Sequence, residues 1–455
     1  MKDLTTGNAG RLIFKFAMPM LLGNLFQQLY NIVDTIIVGN FLGKEALAAV
    51  GASFPIIFTL IALIIGVASG GTIVIAQYFG AKDFKSVKRA IDTLYIFMFF
   101  TSVVLSVIGV YFTEDIFRLI QLPEEILPQA KSYLTIYLSG LVVFFGFNGT
   151  SAILRGLGDS KTPLYFLMIS TLFNILLDLL FVVVFEWGIA GAAIATVVSQ
   201  GGAFLTAIIY LNRYHKIIQF TLSEFQFDNK IFRQILRIGL PTGIQHTFVS
   251  LGMMALMAIV NTFGTDVIAA YSVAGRIDNL AVLPAMNFSA ALATFVGQNI
   301  GARKPERIRS GLIATLLMSA GITVIVMLIV ILFKGPLIGM FTDDTEVIRI
   351  GSEYLVIVCS FYLIFTTMFM FGGVMRGAGD TLIPMFLTLF SLWIIRIPFA
   401  WLFSSRIGET GIWWAIPAGW VAGLILSFLY YLTGRWKRKV LIKPQAVSAN
   451  SITIT

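Results

Sequence analysis

The sequence predicts an all-α polytopic membrane protein. Twelve transmembrane helices form two pseudo-symmetric six-helix lobes, with both termini in the cytoplasm. Three observations predict this: bulk apolarity, twelve separate apolar runs, and an internal duplication at a constant offset. Of 455 residues, 58% are hydrophobic and 12% charged, and the mean hydropathy is +0.89. A soluble domain carries roughly 45–50% apolar and about 25% charged residues.

A membrane-spanning helix needs about 20 apolar residues. Runs of that kind lie at 13–38, 47–75, 90–112, 129–153, 162–185 and 189–211, then at 235–263, 267–297, 310–333, 350–375, 381–403 and 411–433. Helices are the expected element because open strands leave backbone groups unsatisfied in lipid. The first run is too long and too polar for a signal peptide and lacks a small-residue cleavage pattern. Alternate loops carry 24 of the 32 Lys and Arg residues, among them Lys82, Lys85, Lys88, Arg89, Arg303, Lys304, Arg307 and Arg309. The other side holds Lys44, Arg118, Lys131, Lys334, Arg349 and Arg406. The positive-inside rule places both termini in the cytoplasm. The net charge of +9 is thus a topology signal and not a nucleic-acid footprint.

The second half repeats the first. "QYFGAK" from Gln77 returns as "QNIGAR" from Gln298, and "LRGLGDSKTP" from Leu154 returns as "MRGAGDTLIP" from Met375, at one and the same offset. "FLGKEALAAV" from Phe41 and "TFGTDVIAAY" from Thr262 keep that offset, and Pro19 meets Pro241 one position beyond it. An even number of spans per copy gives both halves one orientation, with a central cleft between them. The expected units are an N-lobe at 1–211, a cytoplasmic linker at 212–234, a C-lobe at 235–433 and a basic, then disordered, tail at 434–455. The "RGxGD" loops, with Arg155 and Asp159 in one copy and Arg376 and Asp380 in the other, fit a tight turn in which Arg and Asp pair or cap helix ends. A gate that closes the cleft from inside is the second reading.

Several function classes are excluded by what is missing. One cysteine, Cys359, and two histidines, His215 and His246, argue against a disulfide or a thiolate metal site. "GNFLGKE" at 39–45 is one residue short of a phosphate-binding loop and lacks its Ser/Thr. No catalytic constellation suggests an enzyme and no cofactor is implied, so any transport would run on an ion gradient.

Ionisable residues inside spans are costly and mark pathways. Asp34 lies near the outer end of span 1, and Asp178 lies in span 5 one turn after Asn174. Thr196 in span 6, with Tyr30 and Asn31 in span 1, can add polar ligands. Two carboxyl groups in a low dielectric can share a proton. With amide and hydroxyl oxygens they can also form a hard cage for Na⁺. Asp178 has Phe399 as its repeat counterpart, so the acids belong to the first half only. The second half carries Arg276 and Asp278 in span 8 and Arg396 in span 11, and a pairing of Asp278 with Arg396 is expected. Pro19 removes a helix hydrogen bond in span 1 and marks a bend.

On "PMLLGNLFQQLYNIVDTIIVG", "AQYFGAK", "LRGLGD" and "NILLDLLF", over about residues 10–435, the chain resembles a multidrug and toxic compound extrusion (MATE) transporter of the prokaryotic DinF-like branch. The resemblance implies cation coupling at Asp34, Asn174, Asp178 and Thr196, a bending proline at Pro19, and antiport of organic cations and other drugs against H⁺ or Na⁺ by rocking lobes. The NorM-like branch adds acids in spans 7 and 10. Here span 7 has none and span 10 has only Glu353. The implied setting is a monomer among the lipids of the cytoplasmic membrane. A lipid-linked oligosaccharide flippase of the same superfamily is the alternative, to which Arg276 and Arg396 would offer a pyrophosphate contact.

Overall fold

The computed structural model describes residues 2–214 and 225–441, with the side chains of Leu63 and Tyr214 left out. His215 and the tail expected beyond Lys443 lie outside the described residues. Every regular element among the described residues is helical. Among the described residues nine helices are long and apolar enough to cross a membrane. Two further spans are bent pairs, Leu127–Ser139 with Leu141–Gly156 at 49° and Thr345–Cys359 with Tyr362–Gly377 at 48°. The first helix, Ala9–Gly80, breaks at Gly43. It supplies spans 1 (9–42) and 2 (44–80), so twelve spans result, as expected.

Span 3 is Phe84–Tyr111, and span 4 is the first bent pair. Span 5 is Lys161–Val184, and span 6 is Gly188–Tyr214. Span 7 is Asn229–Val260, and span 8 is Thr265–Gly301 with a break at Val282. Span 9 is Glu306–Leu332, and span 10 is the second bent pair. Span 11 is Leu382–Ile407, and span 12 is Glu409–Leu432.

The duplication is visible in the backbone. Gly43 and Gly264, equivalent in the repeat, turn their hairpins at φ 84° and 96° with ψ −173° and 176°. That conformation is open to glycine and costly for a side chain. Lys82 and Arg303, also equivalent, share φ values of 58° and 57°. Helix starts are capped by the acids of the basic loops. Asp83 accepts from Ser86 N, and Asp228 from Lys230 N and Ile231 N. Asp159 accepts from Lys161 N and Thr162 N at 3.1 Å. Each such cap contributes about 0.5–2 kcal/mol.

Among the described residues no ion pair joins Arg155 to Asp159 or Arg376 to Asp380. Of the two expected roles, Asp159 takes the cap. Arg376 instead donates to Ser289 Oγ at 2.7 Å, and Asp380 accepts from Tyr430 OH at 2.6 Å.

The lobes meet at the basal end, where residues 2–8 and 435–441 lie. A Cβ on Gly66 or Gly70 of span 2 would strike the span 7 backbone at Gly243 or Gly239, so these helices cross at glycine contact. Near the end of span 2, Gly80 lies on the Gln298 carbonyl of span 8. The other half of span 8, Thr265–Ala281, packs against spans 7, 9 and 10 of its own lobe. The cleft therefore widens away from the termini. At that far end Glu114 binds Lys131 at 2.6 Å and Arg118 at 2.7 Å, and the lysine with the arginine holds its carboxyl below the usual range. Arg349 pairs with Glu346 at 2.6 Å. Three of the six basic residues on that side are thus ion-paired, Lys131 and Arg118 on the one carboxylate of Glu114.

Candidate cation site in the N-terminal lobe

Span 1 carries a polar stripe at helical spacing: Asn24, Gln27, Gln28, Asn31, Asp34 and Thr35. Residues three and four apart share a face. Gln28 accepts from Asn31 Nδ2 at 3.3 Å. Asn24 donates across the cleft floor to Asn287 of span 8 at 2.9 Å. The stripe leads from that inter-lobe contact to Asp34, while the backbone through Pro19 stays helical.

Asn174 and Asp178 in span 5 are fully buried, and their i, i+4 spacing puts them on one face. Both Asp178 oxygens, both Asn174 amide atoms and Asp34 Oδ1 are enclosed with no hydrogen-bond partner. Buried polar atoms are normally satisfied, and each orphan costs roughly 1–3 kcal/mol. Thr196 Oγ1 accepts from Tyr30 OH at 3.3 Å and donates to the Ala192 carbonyl at 3.0 Å. Asp34 lies within electrostatic reach of Asp178 and of Tyr30, Tyr133 and Tyr137. Tyr30 thus bonds Thr196 and lies within reach of both Asp34 and Asp178, with Asn174 one turn before Asp178 and with Tyr133 and Tyr137 of span 4 within reach of Asp34. Immediately after Asp178 the helix widens to a π-helical turn, Leu179–Val184, a distortion common at functional sites.

Sequence reasoning alone misses the two span 4 tyrosines. The repeat carries a signal for one of them: the position equivalent to Tyr133 is Tyr354, also a tyrosine. It likewise passes over the stripe residues Asn24, Gln27 and Gln28, although their spacing is readable.

The second lobe is built differently, and one expectation fails there. Asp278 and Arg396 do not form an ion pair within 4.0 Å. Asp278 accepts a hydrogen bond from Tyr362 OH at 2.5 Å, and Arg396 stands off, within electrostatic reach. The Tyr362 hydroxyl takes up the acid in place of the arginine, which stands at the end of the π-helical turn Phe390–Arg396 of span 11. Arg396 Nε is buried without a partner, as is Trp413 Nε1. Trp413 stacks on Tyr271 with ring centroids 5.7 Å apart. Arg276 is exposed and makes no ion pair among the described residues, so Arg276, Asp278 and Arg396 form no network. Glu353 accepts from Thr410 Oγ1 at 2.7 Å. Replacing Tyr362 by phenylalanine is expected to leave an Asp278 oxygen without its donor and cost about 1–3 kcal/mol. Thermal unfolding in detergent reads this as a lower Tm; an unchanged Tm would show that the tyrosine does not hold the acid.

Comparison with known proteins bears on the two lobes directly. The MatE family model matches residues 19–180 and, a second time, 241–402. The chain belongs to the MatE family. The second match is displaced from the first by the spacing of Pro19 and Pro241, the residues on which the two matches begin. Probable multidrug resistance protein YpnP of Bacillus subtilis (strain 168) is 35% identical over 436 residues, covering 96% of this chain and 97% of that protein. Probable multidrug resistance protein NorM of Thermotoga maritima is 30% identical over 456 residues, covering 96% and 95%. Among solved structures, a multidrug resistance MATE family transporter of the MOP superfamily in an outward-facing conformation matches with TM-score 0.90 at 26% identity, covering 96% of this chain and 99% of that one. The chain is therefore a multi-pass membrane protein of a transporter family, and its twelve-span, two-lobe MatE architecture follows the expected fold class.

Proposed function

We propose that this protein is a secondary active efflux antiporter of the cytoplasmic membrane, working as a monomer. It exports organic, often cationic, compounds in exchange for H⁺ or Na⁺ by alternating access of its lobes. The observation that carries this reading is the fully buried Asp178 with the half-buried Asp34: both Asp178 oxygens and Asp34 Oδ1 are orphaned, in the lobe that also holds Asn174 and Thr196. A buried carboxylate without a partner is expensive, and a proton or a sodium ion supplies what is missing. Lobes joined through their basal halves, on the side that the charge rule assigns to the cytoplasm, support an outward-facing arrangement. A cation entering from outside reaches Asp34, near the outer end of span 1, before the polar stripe that runs from it down to the Asn24–Asn287 contact. Binding there and substrate binding in the cleft then bias one two-state element, the lobe pair.

The deciding experiment is transport in proteoliposomes with a proton or a sodium gradient imposed separately. Accumulation of a fluorescent organic cation driven by one gradient and abolished by its collapse is the expected result. Substrate movement indifferent to both gradients would overturn antiport.

The flippase reading has one observation in its favour: Arg396 Nε without a partner, in the same lobe as the exposed Arg276. It predicts binding of a lipid pyrophosphate that Arg276→Ala abolishes. It assigns no task to the orphaned acids, and the antiport reading is preferred for that reason.

A further inference from the structure

The two motifs that announced the duplication are left without a role by the cation site. "QYFGAK" and "QNIGAR" sit at the ends of spans 2 and 8, and "RGLGD" and "RGAGD" follow spans 4 and 10. In the structure they find each other crosswise. Gln298 of the second lobe is fully buried and donates from Nε2 to the Gly156 carbonyl of the first lobe's RGLGD at 3.1 Å. Gln77 of the first lobe, equally buried, donates to the Gly377 carbonyl of the second lobe's RGAGD, also at 3.1 Å. Gln77 is the repeat equivalent of Gln298, and Gly156 that of Gly377. Only the inter-lobe pairing is exchanged.

Each glutamine keeps one further atom, its Oε1, and each uses it on a terminal segment. Gln298 Oε1 accepts from Leu4 N at 2.9 Å, and Gln77 Oε1 accepts from Leu441 N at 3.1 Å. The segment 2–8 spans both lobes. Lys2 N donates to the Leu157 carbonyl at 3.2 Å, while Leu4 is fully buried in a cluster with Phe288, Leu292 and Phe295. Lys304 Nζ and Arg307 Nη2 then hold the carbonyls of Thr5 and Gly7 at 3.0 and 2.7 Å. The segment 435–441 does the reverse. Trp436 is buried in that same cluster, and Leu441 packs against the N-lobe core.

We propose that Gln77 and Gln298 are the two bolts of a crossed latch that closes the basal face, with residues 2–8 and 435–441 as straps that hold each bolt in place. The inference rests on alternating access, since a latch needs an open state to oppose. In that state both glutamines and both glycine carbonyls reach water, so the latch bonds favour the closed state alone. Losing one glutamine side chain strips a buried carbonyl of its donor only in the closed state. The closed-to-open ratio then falls about tenfold for each glutamine.

The test uses the full chain, with Cys359→Ala and spin labels at Lys85→Cys and Glu306→Cys. Those two positions are exposed, lie at the basal starts of spans 3 and 9, and are equivalent in the repeat. Double electron–electron resonance reads the basal distance between lobes. Gln77→Ala and Gln298→Ala are each expected to move population from the short to the long distance, the double variant further still. Deletion of residues 2–7 is expected to act in the same direction and provides a variant with both glutamines intact. Distributions identical to the parent in all of these variants, with a parent that does populate a second distance on adding substrate, overturn the latch alone. A parent confined to one distance with and without substrate overturns alternating access itself.

Discussion

Asp178→Asn is expected to abolish uphill export while leaving the protein folded and at least as stable as the parent. The asparagine keeps the size of the side chain and removes the charge, and Asp178 is fully buried with no partner for either oxygen. Nothing in the resting structure depends on that charge. Deleting it removes a desolvation cost, so Tm stays level or rises, the usual exchange of function for stability at a strained site. Coupling free energies of about 1–3 kcal/mol correspond to roughly 5–150-fold changes in affinity, and gradient-driven accumulation should fall within or beyond that range. Asp278→Asn makes the contrast. Its amide oxygen still accepts from Tyr362, so export should stay close to that of the parent. Wild-type export by Asp178→Asn would remove the acid from the coupling mechanism. Equal losses in both variants would make the site a general structural requirement.

The fold was legible because lipid leaves the chain few choices. Apolar runs of span length, a one-sided bias of lysine and arginine, and a constant repeat offset determine twelve helices in two copies. Local events were less readable. The π-helical turns at Leu179–Val184 and Phe390–Arg396 have no composition signal, yet one begins directly after Asp178 and the other ends on Arg396. The Asp278–Arg396 expectation shows the same limit: opposite charges on two spans suggest a pair, but the Tyr362 hydroxyl takes up Asp278 instead. Asp34, Asn174, Asp178 and Thr196 could be named from the sequence because acids in apolar helices are conspicuous. Tyr133 and Tyr137 could not, since a tyrosine in a span is ordinary. The basal contacts were hidden too. A glutamine and a glycine carbonyl carry no charge, and their partnership crosses the lobes instead of staying within one repeat.

Gly80→Ala and Gly301→Ala test that crossing from the packing side. A Cβ at Gly80 would land on the Gln298 carbonyl, and one at Gly301 on the Gln77 carbonyl. Both obstacles are helix backbone, which cannot turn aside as a flexible side chain can. The helices must therefore separate, and overpacking of this kind costs about 1–3 kcal/mol. The cost falls only on the state in which spans 2 and 8 touch. With the lobes apart at this end, the added methyl groups meet water or lipid headgroups at little expense. The alanine variants should thus populate the basal-open state roughly 5–150-fold more than the parent, the same free energy read as a ratio. Their Tm should fall under conditions that favour the closed form. Gly321→Ala provides the control, because a Cβ there meets nothing within 4 Å. Its slight gain in helix propensity should leave the lobe distance where it was. If Gly301→Ala behaves like Gly321→Ala in both lobe distance and Tm, spans 2 and 8 do not carry the basal closure.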